Sequence, residues 1–289
     1  MLKRRTTGSV VCPSCGSLVG VRDDKCYSCG RANPGLWGFA PALRQLGADM
    51  GFVPLVIGGC SIVYVLTLLA SGSNLQIYRG GLSFLSPSPD ALLLFGMSGA
   101  SPVFGRGAWW TLLSASWIHG DLLHILFNMY WVGRFGPGAV ELIGPFRTVI
   151  VYTVSGVAGF LLSSAAGLVF AVSGLQIPFL GAAAFTMGAS AAVLGLLGAI
   201  AHYGRTSGSS LIRAEVKQYV VWFVISGLVF RGTDNYAHLG GFLGGYATAW
   251  FFNPLTRERG DHMLIAGVCL GLTLVAIGLS IFTGLPFYR

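Results

Sequence analysis

From residue 52 onward the chain passes through one apolar stretch after another with almost no charge inside them. A chain built that way has few ways to fold. Where lipid replaces water, every backbone N–H and C=O must be satisfied internally, so only helices and closed barrels span the hydrocarbon. Runs of about 20 apolar residues have the length of a membrane-crossing helix. Only 10% of the residues are charged and 54% are hydrophobic, against about 25% charged in soluble domains. These observations predict an all-α polytopic membrane protein. The 43 glycines show no collagen-like period and sit inside the apolar runs, which suits close helix–helix approach. A net charge of +8 would suit nucleic acid. The basic residues, however, are scattered between apolar segments, so no nucleic-acid partner is expected.

Seven candidate spans follow, at about 52–70, 120–142, 147–171, 181–203, 216–232, 235–252 and 263–283. The intervening segment 71–119 is too long for a hairpin and reads as a structured, partly interfacial loop with short helices. If the N-terminus lies inside, fourteen of the 18 Lys and Arg residues fall in inner segments. Only Arg79, Arg106, Arg231 and Arg289 fall in outer ones. That bias predicts a multi-pass protein of the cell membrane with its N-terminus in the cytoplasm and its C-terminus outside. No apolar core follows Met-Leu-Lys-Arg-Arg, so a cleavable signal peptide is not expected.

Residues 1–33 are polar and hold four of the six cysteines, and 34–49 read as a linker. Cys12 and Cys15, then Cys26 and Cys29, form two C-x2-C pairs. Each pair can make a tight knuckle with both thiolates facing one point, and two knuckles supply the tetrahedral sulfur set that zinc prefers. Gly16 and Gly30 follow the knuckles and ease the turns. The alternative is a pair of disulfides, which a cytoplasmic location disfavours. A closed four-thiolate site predicts structural zinc, not catalytic zinc. Cys60 and Cys269 lie inside spans and read as packing residues.

Polar groups inside apolar segments need a partner or a task. His124 and Asn128 are four apart and share a helix face. Both donate hydrogen bonds without charge, as an oxyanion hole requires, and a packing cluster or metal pair is the alternative. His119 precedes them near the membrane surface. Ser190 sits among Gly188, Ala191, Gly195 and Gly198, a small-residue face that by itself suits helix packing. His238 opens an apolar helix with Gly241 and Gly245 on one face. If that face meets the Ser190 helix, His238 reaches Ser190 and a nucleophile gains its base. The alternating topology puts all three polar sites at similar depth below the outer surface. Glu141 and Arg147 are expected to close a turn at the inner end, and Asp234 to cap the His238 helix.

Together these motifs resemble the rhomboid family of intramembrane serine proteases, over about residues 50–289. "HGDLLHILFN" is similar to the family's His-x4-His-x3-Asn segment. Gly188, Ala189 and Ser190 resemble its Gly-x-Ser motif. Ala237, His238, Gly241 and Gly245 resemble its Ala-His-x2-Gly-x3-Gly helix, and "ELIGPFR" resembles its Glu-x3-Gly-x2-Arg turn. The resemblance implies a rhomboid-like bundle of seven transmembrane helices, six plus one; it says nothing of the small N-terminal four-cysteine zinc ribbon, which looks like an added domain. It implies Ser190 as nucleophile and His238 as general base. His124, Asn128 and the Ser190 N–H would hold the oxyanion, with His119, Gly188, Gly241 and Gly245 supporting. No cofactor is needed for catalysis, and the expected substrates are transmembrane proteins cut at small residues. Thr111 stands where the family often has Arg after a Trp, and Leu194 where it often has an aromatic. The competing reading is an inactive rhomboid-like adaptor that binds client helices and recruits a cytosolic partner through the ribbon. A transporter would need charges deep in the spans or broken helices, and neither is evident.

Overall fold

The computed structural model describes residues 4–13, 15–41, 51–80, 83–174, 184–230 and 232–287. Among them, seven helices of 17 residues or more occupy the places of the seven apolar stretches: α1 Phe52–Ser71, α2 Leu122–Ile143, α3 Pro145–Ser173, α4 Ser190–Thr206, α5 Ser210–Val229, α6 Asn235–Phe252 and α7 Gly260–Gly284. Their outer surfaces are greasy. Trp250, Phe251, Leu264 and Phe282 are among many large apolar side chains left more than half exposed. Inward faces instead carry small and hydroxyl residues, such as Ser155, Ser163, Ser164 and Thr148, which are fully buried. Water does not tolerate such a surface, and a bilayer does. By length and composition, three segments can cross a membrane: Phe52–Asn74, Pro145–Ser173 and Gly260–Gly284. The others are shorter or diluted by charged, polar and glycine residues.

α4 is the central pillar, with most of its residues buried against α2, α3 and α6. α4 and α6 approach very closely. A Cβ at Gly241 would collide with the carbonyl oxygen of Ala191, and one at Gly245 with that of Gly195. The glycine spacing therefore brings two backbones into contact, as the sequence predicts.

Four expectations need correction. The fourth helix begins at Ser190 and not near 181. Residues 184–189 are not helical, and the part of that span at 181–183 lies outside the described residues, as do linker residues 42–49. Thr186 is tied instead into an antiparallel bridge with Ser98, and Gly188 adopts φ +114, which ordinary side chains avoid. The fifth helix begins six residues early, because Ser209 accepts the N–H of Ile212 and caps it. The fold is not purely helical. Ser9–Val11 pairs with Leu18–Gly20 in the ribbon, and Gln76–Gly80 pairs with Ser83–Ser86 in the long loop. Finally, Glu141 is exposed, and Arg147 turns to the segment between α6 and α7. It donates to the carbonyls of Thr256 at 2.7 Å and Arg257 at 3.0 Å.

The long loop is built from local hydroxyls. Thr111 Oγ1 donates to Ala108 O at 2.7 Å and Ser114 Oγ to Gly96 O at 2.8 Å, so Thr111 holds this loop without a guanidinium. Arg106 is exposed and lines a cavity with Trp110 and Thr111.

Candidate active site

Ser190 is the first residue of α4, so its N–H is one of the first-turn donors that no helix carbonyl can satisfy. His238 stands one turn into α6, whose start is capped by Asp234 Oδ1 accepting from Ala237 N at 2.9 Å. Asp234 Oδ2 accepts from Ser163 Oγ of α3, which ties the cap to the bundle. With α4 and α6 in backbone contact, His238 Nε2 lies 3.0 Å from Ser190 Oγ. That is the distance for proton transfer between a hydroxyl and an imidazole.

The second histidine is oriented by its own backbone. Asp121 caps α2 through His124 N at 2.7 Å, and Gly120 N–H donates to His124 Nδ1 at 3.3 Å. A neutral ring then carries its proton on Nε2. Nε2 faces Gly188, where an added Cβ would come within 2.5 Å of it. Gly188 is therefore needed both for its φ and for the space. Asn128, 2% exposed, donates one amide proton to His124 O at 2.8 Å and keeps its second. His119 is fully buried, and its Nε2 accepts from Ala189 N at 3.4 Å, which leaves the next amide, that of Ser190, for another acceptor. Its ring meets the His124 ring edge-on at 5.1 Å. Ser190, His238, His124, His119 and Gly188 thus meet around the start of α4, Asn128 is bonded to His124, and Gly241 and Gly245 hold α6 against α4. Chemically, the cluster offers a hydroxyl, a base in contact with it, and neutral N–H donors beside it.

One neighbour was missed from sequence. The ring beside His238 belongs to Phe223 of α5, at 6.5 Å between centroids and 81° between planes. Leu194, where the aromatic was sought, is a buried packing residue. The available signal was the aromatic cluster Tyr219, Trp222 and Phe223. These rings meet Trp131 of α2.

At the other end of the molecule, Cys12, Cys15, Cys26 and Cys29 place their sulfurs within 4.8 Å of one another. Cys12–Cys29 and Cys15–Cys26 are 3.7 and 3.6 Å apart. A tetrahedron of four sulfurs with metal bonds of about 2.3 Å has edges of about 3.8 Å, so the set fits a four-thiolate metal site and not a disulfide. The two knuckles repeat one turn: Gly16 N bonds Cys12 O at 2.9 Å, and Gly30 N bonds Cys26 O at 2.8 Å. A hydrogen bond from the Ser17 side chain brings the Cys15 thiol down to about 6, against burial, so it is ready as a thiolate at neutral pH.

Comparison with known proteins agrees with the geometry. Residues 106–255, just over half of the chain, match the family model of the Rhomboid domain, and this stretch contains every residue of the Ser190–His238 cluster. The chain is 27% identical over 193 residues to Rhomboid protease GluP of Bacillus subtilis (strain 168), covering 65% of this chain and 35% of that protein. It is 29% identical over 212 residues to RHOMBOID-like protein 4 of Arabidopsis thaliana, covering 67% and 50%. It is 26% identical over 176 residues to Rhomboid-like protease 3 of Toxoplasma gondii, covering 58% and 60%. The chain thus spans between about a third and three fifths of the length of these relatives.

Proposed function

This chain belongs to the rhomboid family, and on that premise we propose that it is an intramembrane serine protease acting through a Ser190–His238 dyad. It is a multi-pass membrane protein. In our reading all seven long helices cross the cell membrane, with the N-terminus in the cytoplasm and the C-terminus outside. The observation that carries the proposal is the 3.0 Å contact between His238 Nε2 and Ser190 Oγ at the start of α4.

In the first step His238 takes the Ser190 proton while Oγ attacks a substrate carbonyl carbon, and the carbonyl oxygen becomes an oxyanion. The Ser190 N–H, His124 Nε2–H and the second Asn128 N–H face that charge as it develops. His238 returns the proton to the leaving amine. Water then attacks the acyl ester with His238 again as base, which frees Ser190 and the new carboxylate. Among the described residues no carboxylate hydrogen-bonds the His238 ring. Asp234 is occupied by Ala237 N and Ser163, so rigidity comes from the α4–α6 backbone contact and the Phe223 ring. An intact substrate helix buries its carbonyls in hydrogen bonds, so we infer transmembrane substrates that unwind readily at glycine or other small residues. The four thiolates fit Zn2+, which would cross-link the ribbon's two knuckles. The test is cleavage of a tagged single-span substrate in liposomes by wild type, Ser190→Ala and His238→Ala. Cleavage by wild type alone supports the dyad. No cleavage by a folded wild type would favour the adaptor reading, and cleavage by Ser190→Ala would remove the nucleophile assignment.

A further inference from the structure

Glu258 lies in the connection between α6 and α7, yet it is only 7% exposed. Burial pushes its carboxyl up, opposed by the backbone N–H of Arg147 and the charges of Arg31 and Arg147. Its Oε1 accepts the Arg147 N–H at 2.8 Å. Its Oε2 lies 3.8 Å from Arg31 Nη1, and the two side chains are 1% and 4% exposed. Arg31 belongs to the ribbon, two residues beyond Cys29, and its guanidinium covers the Phe146 ring at 5.3 Å. A Cβ at Gly144, where φ is +96, would press within 2.8 Å of the same carboxylate. A buried ion pair of this kind tolerates the loss of both partners far better than the loss of one.

The ribbon's own turn holds Arg31 in place. Cys26 N–H donates to Arg31 O at 2.8 Å, and Arg257 Nη1 donates to Ser28 O, inside the second knuckle, at 3.1 Å. From the bundle side Arg147 grips the same connection, with the two carbonyl contacts above, Thr256 Oγ1 at 3.2 Å and His262 Nδ1 at 3.2 Å. The second knuckle, the α2–α3 turn and the α6–α7 connection therefore form one buried junction, and two of its three parts belong to the bundle.

We propose that the second-knuckle face of the four-cysteine ribbon is a docking surface for the α6–α7 connection of the same chain, so that metal loading of the ribbon and order at this end of the bundle form one linked equilibrium through Arg31 and Glu258. A four-thiolate ribbon folds around its metal. Without the ion the Cys26–Arg31 turn loosens, Arg31 leaves, and Glu258 loses a cationic neighbour. Linkage is reciprocal, so Glu258 strengthens metal binding by the factor that metal strengthens the junction. The inference does not depend on proteolysis.

The test uses the full chain in detergent, with Zn2+ affinity measured by chelator competition and amide exchange followed over 253–262. Cobalt substitution reports the four-thiolate site in every variant. Removing Zn2+ from wild type should speed exchange over 253–262 by about tenfold or more, in the usual range of coupling between sites. Arg31→Met and Glu258→Gln should each weaken Zn2+ binding by about tenfold, and the double variant no further, because both remove one contact. Arg257→Ala, on the exposed rim, should show the same effect more weakly and guards against a misfolded Arg31 variant. Wild-type Zn2+ affinity in Glu258→Gln and Arg257→Ala, with exchange over 253–262 indifferent to the metal, would overturn the proposal.

Discussion

His124 divides its ring between two tasks. Nδ1 accepts from Gly120 and so commits the proton to Nε2, which faces Gly188 and the start of α4. Asn128 repeats the arrangement, with one amide proton fixed on His124 O and the other left over. Donors held this way need no reorganisation when charge appears, which is where oxyanion stabilisation comes from. Asn128→Ala should therefore lower kcat by about 10²–10³-fold with KM little changed, read from steady-state cleavage. Ser190→Ala and His238→Ala should each abolish cleavage, and the double variant should be no worse than either, since the two act as a unit. Thermal unfolding of Ser190→Ala should stay at the wild-type temperature, because removing one small hydroxyl leaves no large cavity.

At the scale of elements, the Ser190–His238 contact is placed by helix packing. α6 lies on α4 with no side chain between Gly241 and Ala191 or between Gly245 and Gly195. Gly245→Val inserts three carbons where none fit, and overpacking costs about 1–3 kcal/mol or more. The expected result is a lower unfolding temperature together with lost cleavage, because His238 moves away with α6. α5 contributes differently. Among its residues only Val216, Phe223 and Gly227 are buried, and Phe223 is the one whose ring meets His238. Phe223→Ala should lower kcat by about tenfold or more with a smaller effect on KM, as expected when a base loses its packing support. An unchanged kcat would show that the α4–α6 contact positions His238 unaided.

At the scale of the whole molecule the two chemistries sit at opposite ends. His238 is near the start of α6, and the ribbon meets the connection that follows its last turn. α6 continues fourteen residues beyond His238 to Phe252, so the separation along it is roughly 21 Å at 1.5 Å per residue. From sequence, the ribbon looks like an added domain. The buried Arg31–Glu258 pair ties it to the bundle. The isolated 50–289 fragment should unfold at a lower temperature than the full chain, by an amount that metal removal from the full chain reproduces. Equal unfolding temperatures would mean that the ribbon is tethered but does not support the bundle.

What was legible in the sequence was local and periodic. Apolar runs near the bilayer length marked all seven helices, and α6 matched its expected bounds of 235–252. The paired cysteines foretold sulfurs that converge, and the glycine spacing foretold the α4–α6 contact that brings Ser190 to His238. Such features repeat at helical or knuckle spacing, so neighbours along the chain reveal them. Three matters were decided only by tertiary structure: where α4 begins, which ring packs on His238, and which carboxylate Arg147 and Arg31 share. The start of α4 depends on a bridge from Thr186 to Ser98, more than eighty residues away. Phe223 and Glu258 are likewise remote from their partners in sequence. An apolar ring or a single acid in a polar segment looks the same whichever partner it meets, so its role is set by the packing that brings distant elements together.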